Sequence, residues 1–142
     1  MSIDLFQSDE IVSRTNVNNR LTQANRCFPV TLFSDSEGVA SGDLLLSDNY
    51  TNYSVIGVYY FTENNQTAPS YSEFDTSITD QILLHATRIN VAHTAAFIRG
   101  AVLTAATNKL TFTQNWSCQV TSSAVTFPQS YIYVYKVVGY KY

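Results

Sequence analysis

The chain has 142 residues, of which 45% are hydrophobic and only 13% charged, and its net charge is −3. A single domain of this size buries a core without disulfide or metal staples. Abundant aromatics with low charge exclude disorder and argue against a long helical bundle, and the lack of a Lys/Arg stripe excludes a phosphate-tracking nucleic-acid surface.

Polarity comes instead from uncharged groups: 15 Ser, 16 Thr and 11 Asn, beside 10 Tyr and 8 Phe. Thr, Tyr, Phe, Val and Ile fit a pleated, half-buried surface, so the composition points to β-structure. The opening MSIDLFQSDE lacks the basic and apolar regions of a secretory signal, and no run reaches the length of a membrane span. Cys27 and Cys118 do not form a disulfide framework, and synthesis in a reducing compartment with both thiols free is expected. The sequons at Asn49, Asn52, Asn65 and Asn115 read as chance in so Asn-, Ser- and Thr-rich a chain.

Residues 1–28 form a distinct N-terminal segment, read as attachment or oligomerisation. Val17, Leu21 and Ala24 stand at helical spacing, and three Arg follow Asp9 and Glu10. Such a helix is marginal alone and needs something to pack on. From residue 29 to 142 the pattern is strand after strand. Val30–Ser34 alternates weakly, and Asp43–Ser47 is a short apolar run. Tyr53–Phe61 is apolar on both faces, and ENNQTAPS then breaks the pattern. Gln81–Val91 and Ala95–Leu103 follow.

In Asn108–Thr121 the alternation is cleanest, with Leu110, Phe112, Trp116, Cys118 and Val120 on one parity, read as the inward one. In the closing strand, Tyr131–Tyr142, Tyr131, Tyr133, Tyr135 and Val137 oppose Ile132, Val134 and Val138. The expected fold is all-β: an antiparallel sandwich or jelly-roll-like domain over 29–142 with a short helical or extended N-terminal segment. Two strands apolar on both faces exceed what one sandwich needs. Outward Tyr at Tyr59, Tyr60, Tyr131, Tyr133 and Tyr135 predict a covering subunit.

Catalytic chemistry is thin. His85 and His93 fall on one parity with Leu83, Ile89 and Val91 and read as partly buried structural residues. A metal site wants a third ligand, and the nearest acid, Asp80, is five residues from His85 at a spacing that matches no ligand motif, so no metal or cofactor is expected. Glu73 and Asp75 read as solvated rather than as an acid/base pair. There is no G-x-S-x-G and no Gly-rich phosphate loop. Binding chemistry is better represented. Sugar recognition sets aromatic faces beside amide and carboxylate side chains. Asp48, Asn49, Tyr50, Asn52 and Tyr53 have that composition, as does Glu63–Gln66; an ordinary polar turn has it too.

Three segments, GDLLLSDNYTNYSVIGVYYF, RINVAHTAAFIRGAVLTAATNKLTFTQNWSCQV and YIYVYKVVGYKY, occur in this order. Together they resemble the C-terminal modules of bacteriophage tail-fibre and baseplate structural proteins, over roughly residues 30–142. The resemblance implies an antiparallel β domain, a homotrimer at the far end of a tail appendage in the virion, partnered by other tail proteins and able to bind host surface polysaccharide. Such modules end much longer chains, whereas about 28 residues precede this one, as in a small accessory tail protein or a fragment. The expected function is therefore a non-enzymatic virion structural or receptor-binding protein. The alternatives are a non-viral carbohydrate-binding module and a small virion-associated glycan hydrolase.

Overall fold

The computed structural model describes residues 28–62, 69–128 and 131–141, with Arg14, Thr15 and residues 17–19. Those five N-terminal residues are helical, and Val17 is half-buried. Leu21 and Ala24 of the expected stripe, and Cys27, lie outside the described residues.

Among the described residues, β1 (Val30–Val39), β2 (Asp43–Leu45), β3 (Val55–Phe61), β4 (Pro69–Asp75), β5 (Gln81–Ile89), β6 (Ala95–Ala106), β7 (Lys109–Thr121), β8 (Val125–Thr126) and β9 (Tyr133–Tyr140) build two antiparallel sheets. One has the order β1-β9-β3-β4; the other has β2-β7-β6-β5, with β8 on the far half of β7. The all-β sandwich expected from composition and alternation is the fold. Its core lies between the sheets. Leu32, Ile56, Val58, Ile132, Val134 and Val137 meet Leu44, Ile82, Leu84, Leu103 and Leu110 from the other side. All eleven are buried, each worth about 1.5–3 kcal/mol in area removed from water.

Two bulges decide which way the side chains point. In the β6–β7 ladder Val102 pairs with Gln114 but Leu103 pairs with Phe112, leaving Thr113 as an extra residue on β7. One inserted residue reverses the alternation beyond it. Leu110 and Phe112 face the core as expected, but past Thr113 the inward parity passes to Asn115 and Ser117. Trp116, 45% exposed, Val120, 36% exposed, and the half-buried Cys118 turn outward, against the reading that placed them inside. Asn115 holds the new register. Its Nδ2 donates to the carbonyls of Ala40 (2.9 Å) and Ile132 (2.8 Å), and its Oδ1 accepts from the Ile132 N–H (3.0 Å). One side chain thus ties the middle of β7 to the strand-flanking segments of the opposite sheet.

The second bulge is in β9. Tyr59 pairs with Lys136 and Tyr60 with Val134, so Tyr135 is the extra residue. Val137 therefore joins Ile132 and Val134 inside, instead of sharing the Tyr face. Tyr60 is also inward, contrary to expectation. It is buried, and its hydroxyl donates to the His85 carbonyl (3.0 Å).

β4 begins inside the ENNQTAPS break and runs on into a stretch to which no strand was assigned. The stretch Ser70-Tyr71-Ser72-Glu73-Phe74 alternates, with Phe74 packed on the core and Tyr71, Glu73 and Asp75 outward. Proline at its first residue suits an edge strand. The histidines are exposed rather than partly buried. His85 is on the outer face of β5, and His93 sits in the β5–β6 turn at φ 55. Asn90 builds that turn, its Oδ1 accepting from the Thr94 (2.8 Å) and Ala95 (3.1 Å) N–H groups.

Candidate functional site

Asp48, Asn49, Tyr50, Asn52 and Tyr53 come together as one polar turn between β2 and β3. Asn49 caps a single 3-10 turn, Tyr50–Asn52, with its Oδ1 accepting from Thr51 N–H (3.1 Å). Asp48 Oδ1 accepts from Asn49 N–H (2.7 Å) and Asn52 Nδ2 (2.9 Å), and its Oδ2 accepts from the Tyr53 hydroxyl (3.0 Å). The Asn49 N–H, then Tyr53, hold the Asp48 carboxyl below its ordinary value. Burial, then Asp48, push the Tyr53 phenol up.

Tyr53 is buried, and its ring lies over Gly139 of β9, where a Cβ would come within 2.5 Å of it. The Lys141 ammonium stands 5.0 Å from the centre of that ring. Tyr50 packs on the core edge. The polar atoms of this loop therefore hold its own shape. What it presents outward is Thr51 and Asn52, on the rim of a shallow concavity shared with Ser54, Asp75, Thr76 and Ser77.

A second constellation lies on the outer face of the β1-β9-β3-β4 sheet. Tyr59 and Phe61 of β3, Tyr71 of β4, and Tyr135 and Tyr140 of β9 form one aromatic cluster. Tyr59 and Tyr71 have ring centroids 4.5 Å apart, Tyr59 and Tyr135 are 6.0 Å apart, and Phe61 stacks on Tyr135 at 4.2 Å. Glycine makes room beneath it. A Cβ on Gly57 would meet the Tyr71 ring at 2.7 Å. Val138, opposite Gly57 in the ladder, is buried although its parity is outward.

Polar groups rim these rings. The Tyr71 hydroxyl donates to Glu73 Oε1 (2.7 Å) and lies 3.0 Å from the Tyr140 hydroxyl, which also hydrogen-bonds Tyr59. Lys136 Nζ stands 5.5 Å over the Tyr59 ring. Burial comes first, then Tyr140, in raising both the Tyr59 and Tyr71 phenols, so each stays a neutral donor and acceptor at ordinary pH. Sequence reasoning singled out Tyr59 and Tyr135 here. It missed Tyr71 and Glu73, whose signal was the short alternation of β4, and Tyr140, which joins them only through strand pairing. Tyr131 and Tyr133 are half-buried.

The opposite outer face is apolar. Leu83 and Ile89 of β5, Ile98 and Val102 of β6, Trp116, Cys118 and Val120 of β7, and Val125 of β8 lie in adjoining ladder rows. Trp116 lies flat across Gly100, where a Cβ would come within 2.8 Å of the ring.

The groups weighed for catalysis lie apart in function. Glu73 is bonded to Tyr71, while Asp75 accepts from Ser77 Oγ (2.6 Å) and N–H (2.8 Å), which lowers its pKa. Among the described residues no three His, Cys, Asp or Glu side chains are grouped to hold a metal ion, and no helix is long and apolar enough to cross a membrane. Compared with protein-family models, curated proteins and solved structures, the chain matches none.

Proposed function

We propose that this chain is a non-enzymatic structural and binding domain of a phage tail appendage, located in the virion. In this reading it works as a homotrimer with other tail proteins and presents to host-surface polysaccharide the aromatic face that the sequence had assigned to a covering subunit. The observation that carries the glycan part is the cluster of Tyr59, Phe61, Tyr71, Tyr135 and Tyr140 with Glu73 and Lys136 at its rim. A sugar offers C–H faces to aromatic rings and hydroxyls to charged and phenolic groups, and this surface supplies both. The exposed corner of Thr51 and Asn52 is a secondary contact in the same reading. The tail-appendage part rests on the resemblance of the three segments above.

The test is binding of the full chain to bacterial surface polysaccharides on an array, with product release followed in parallel. Binding without product, lowered at least about tenfold by Tyr135→Ala, is the expected result; each stacked ring contributes on the order of 1 kcal/mol or more. Release of oligosaccharide would instead identify a hydrolase. Binding by a protein that sediments as a monomer would favour a carbohydrate-binding module.

A further inference from the structure

We infer that the outer face of the β2-β7-β6-β5 sheet is the surface through which copies of this chain join. The inference shares the homotrimer of the reading above and names the face that closes it. The bulge at Thr113 is its origin, because it turns Trp116, Cys118 and Val120 out of the core and lines them up with β6 and β5. In the ladder, Ile89, Ala96, Val120 and Val125 make one row. Ile98 and Cys118 share the next, Gly100 and Trp116 the third, and Leu83 and Val102 the fourth.

Six large side chains of this face, Leu83, Ile89, Ile98, Trp116, Val120 and Val125, are each between 36% and 62% exposed. They leave roughly 600 Å² of apolar surface in water, at the upper limit of the largest patch on a typical monomer. The polar ring around them comprises Gln81, Thr87, Thr104, Gln114 and Thr111. With it the face reaches the roughly 800 Å² a side of a stable interface.

Its anatomy is that of an interface between copies: an apolar centre, Trp116 near the middle, and a polar rim. Charge argues for a second copy over other partners. On the described strands, His85 is the one titratable side chain other than Cys118 within the apolar area. At the β2 corner Lys109 Nζ and Asp43 Oδ2 neutralise each other at 2.9 Å. Nothing on the face selects an anionic or cationic partner, whereas the same apolar face on neighbouring copies, each turned toward a three-fold axis, matches it with the edge-strand His85 as the one titratable nitrogen base enclosed. A sheet face is also rigid, so little conformational entropy is lost on association. Trp116, lying flat over Gly100 beside a groove lined by Leu83, Ile98 and Val102, supplies relief for a neighbouring side chain to enter.

The experiment uses the full chain, Ile98→Asp and Leu83→Asp. Sedimentation velocity at micromolar concentration gives mass, far-UV circular dichroism reports the fold, and peptide mass mapping of maleimide labelling reads Cys118, which lies in the row of Ile98. Wild type is expected near three times 15.9 kDa with Cys118 protected. Both variants are expected as folded monomers whose Cys118 reacts at least about tenfold faster. Should Ile98→Asp fail to fold, Leu83→Asp on the edge strand decides. An oligomer untouched by Leu83→Asp overturns the inference and leaves the trimeric reading standing. A wild-type dimer dissolved by it supports the face and removes the trimer. A wild-type monomer in which Cys118 is protected overturns the inference, because the chain's own N-terminal segment then covers the face. A wild-type monomer with reactive Cys118 overturns both the inference and the trimer.

Discussion

Replacing Asn115 by Ala removes three hydrogen bonds that join β7 to the other sheet: two from Nδ2 to the Ala40 and Ile132 carbonyls and one from the Ile132 N–H to Oδ1. Each is worth about 1 kcal/mol net, and the half-buried backbone groups left behind raise the total to roughly 3–4 kcal/mol. That is a large share of the roughly 5–15 kcal/mol that holds a domain together. Urea unfolding followed by the emission of Trp116, the one tryptophan, measures it. With a slope of about 2 kcal/mol per molar, the midpoint falls by roughly 1.5–2 M. Asn115→Asp keeps one acceptor and loses both donors, setting a carboxylate against two carbonyl oxygens, so it should do no better than Ala. A midpoint within about 0.3 M of wild type for Asn115→Ala would show that the two sheets are held in register by packing alone, and the account of the β7 register would fail.

Deleting Thr113 removes the extra residue, so that Phe112 and Gln114 become neighbours in one regular ladder while Asn115 keeps its inward bonds and Trp116, Cys118 and Val120 stay outward. We expect an unshifted Trp emission maximum and a urea midpoint within about 1 M of wild type, and a shifted maximum would contradict the bulge. The raised Tyr53, Tyr59 and Tyr71 phenols predict an alkaline limb. Their folded-state values lie above the unfolded value of about 10. The stability they support is therefore intact below that pH and falls as the unfolded phenols ionise above it. Urea midpoints from pH 8 to 11 should drop, and drop less for Tyr71→Phe; equal slopes would refute the assignment. Thiol titration of the unfolded chain without reductant should count two free groups, as Cys118 has no disulfide partner, and a count of zero would show a bridge.

The sequence by itself determined the kind of structure. Low charge with many Thr, Tyr, Val and Ile residues leaves few solutions other than packed antiparallel sheets, and local alternation located β3, β5, β6, β7 and β9 because a strand's period of two is written in adjacent residues. Asp48 to Tyr53 share one turn simply because a short turn assembles contiguous residues. The sequence could not say which of their groups remain available. Tyr53 is turned inward by the gap above Gly139, 86 positions further along, and Asp48 is then bound by the turn it helps to form. Tertiary structure alone decided the faces. A bulge shifts parity by one residue, and nothing near Thr113 or Tyr135 in the chain announces it; its cause lies in the partner strands and in the Asn115 bonds to Ala40 and Ile132. The aromatic cluster likewise draws on β3, β4 and β9, which are far apart in sequence and adjacent in the sheet. Alternation is a local property, whereas burial is set by whatever long-range pairing places on either side of the strand.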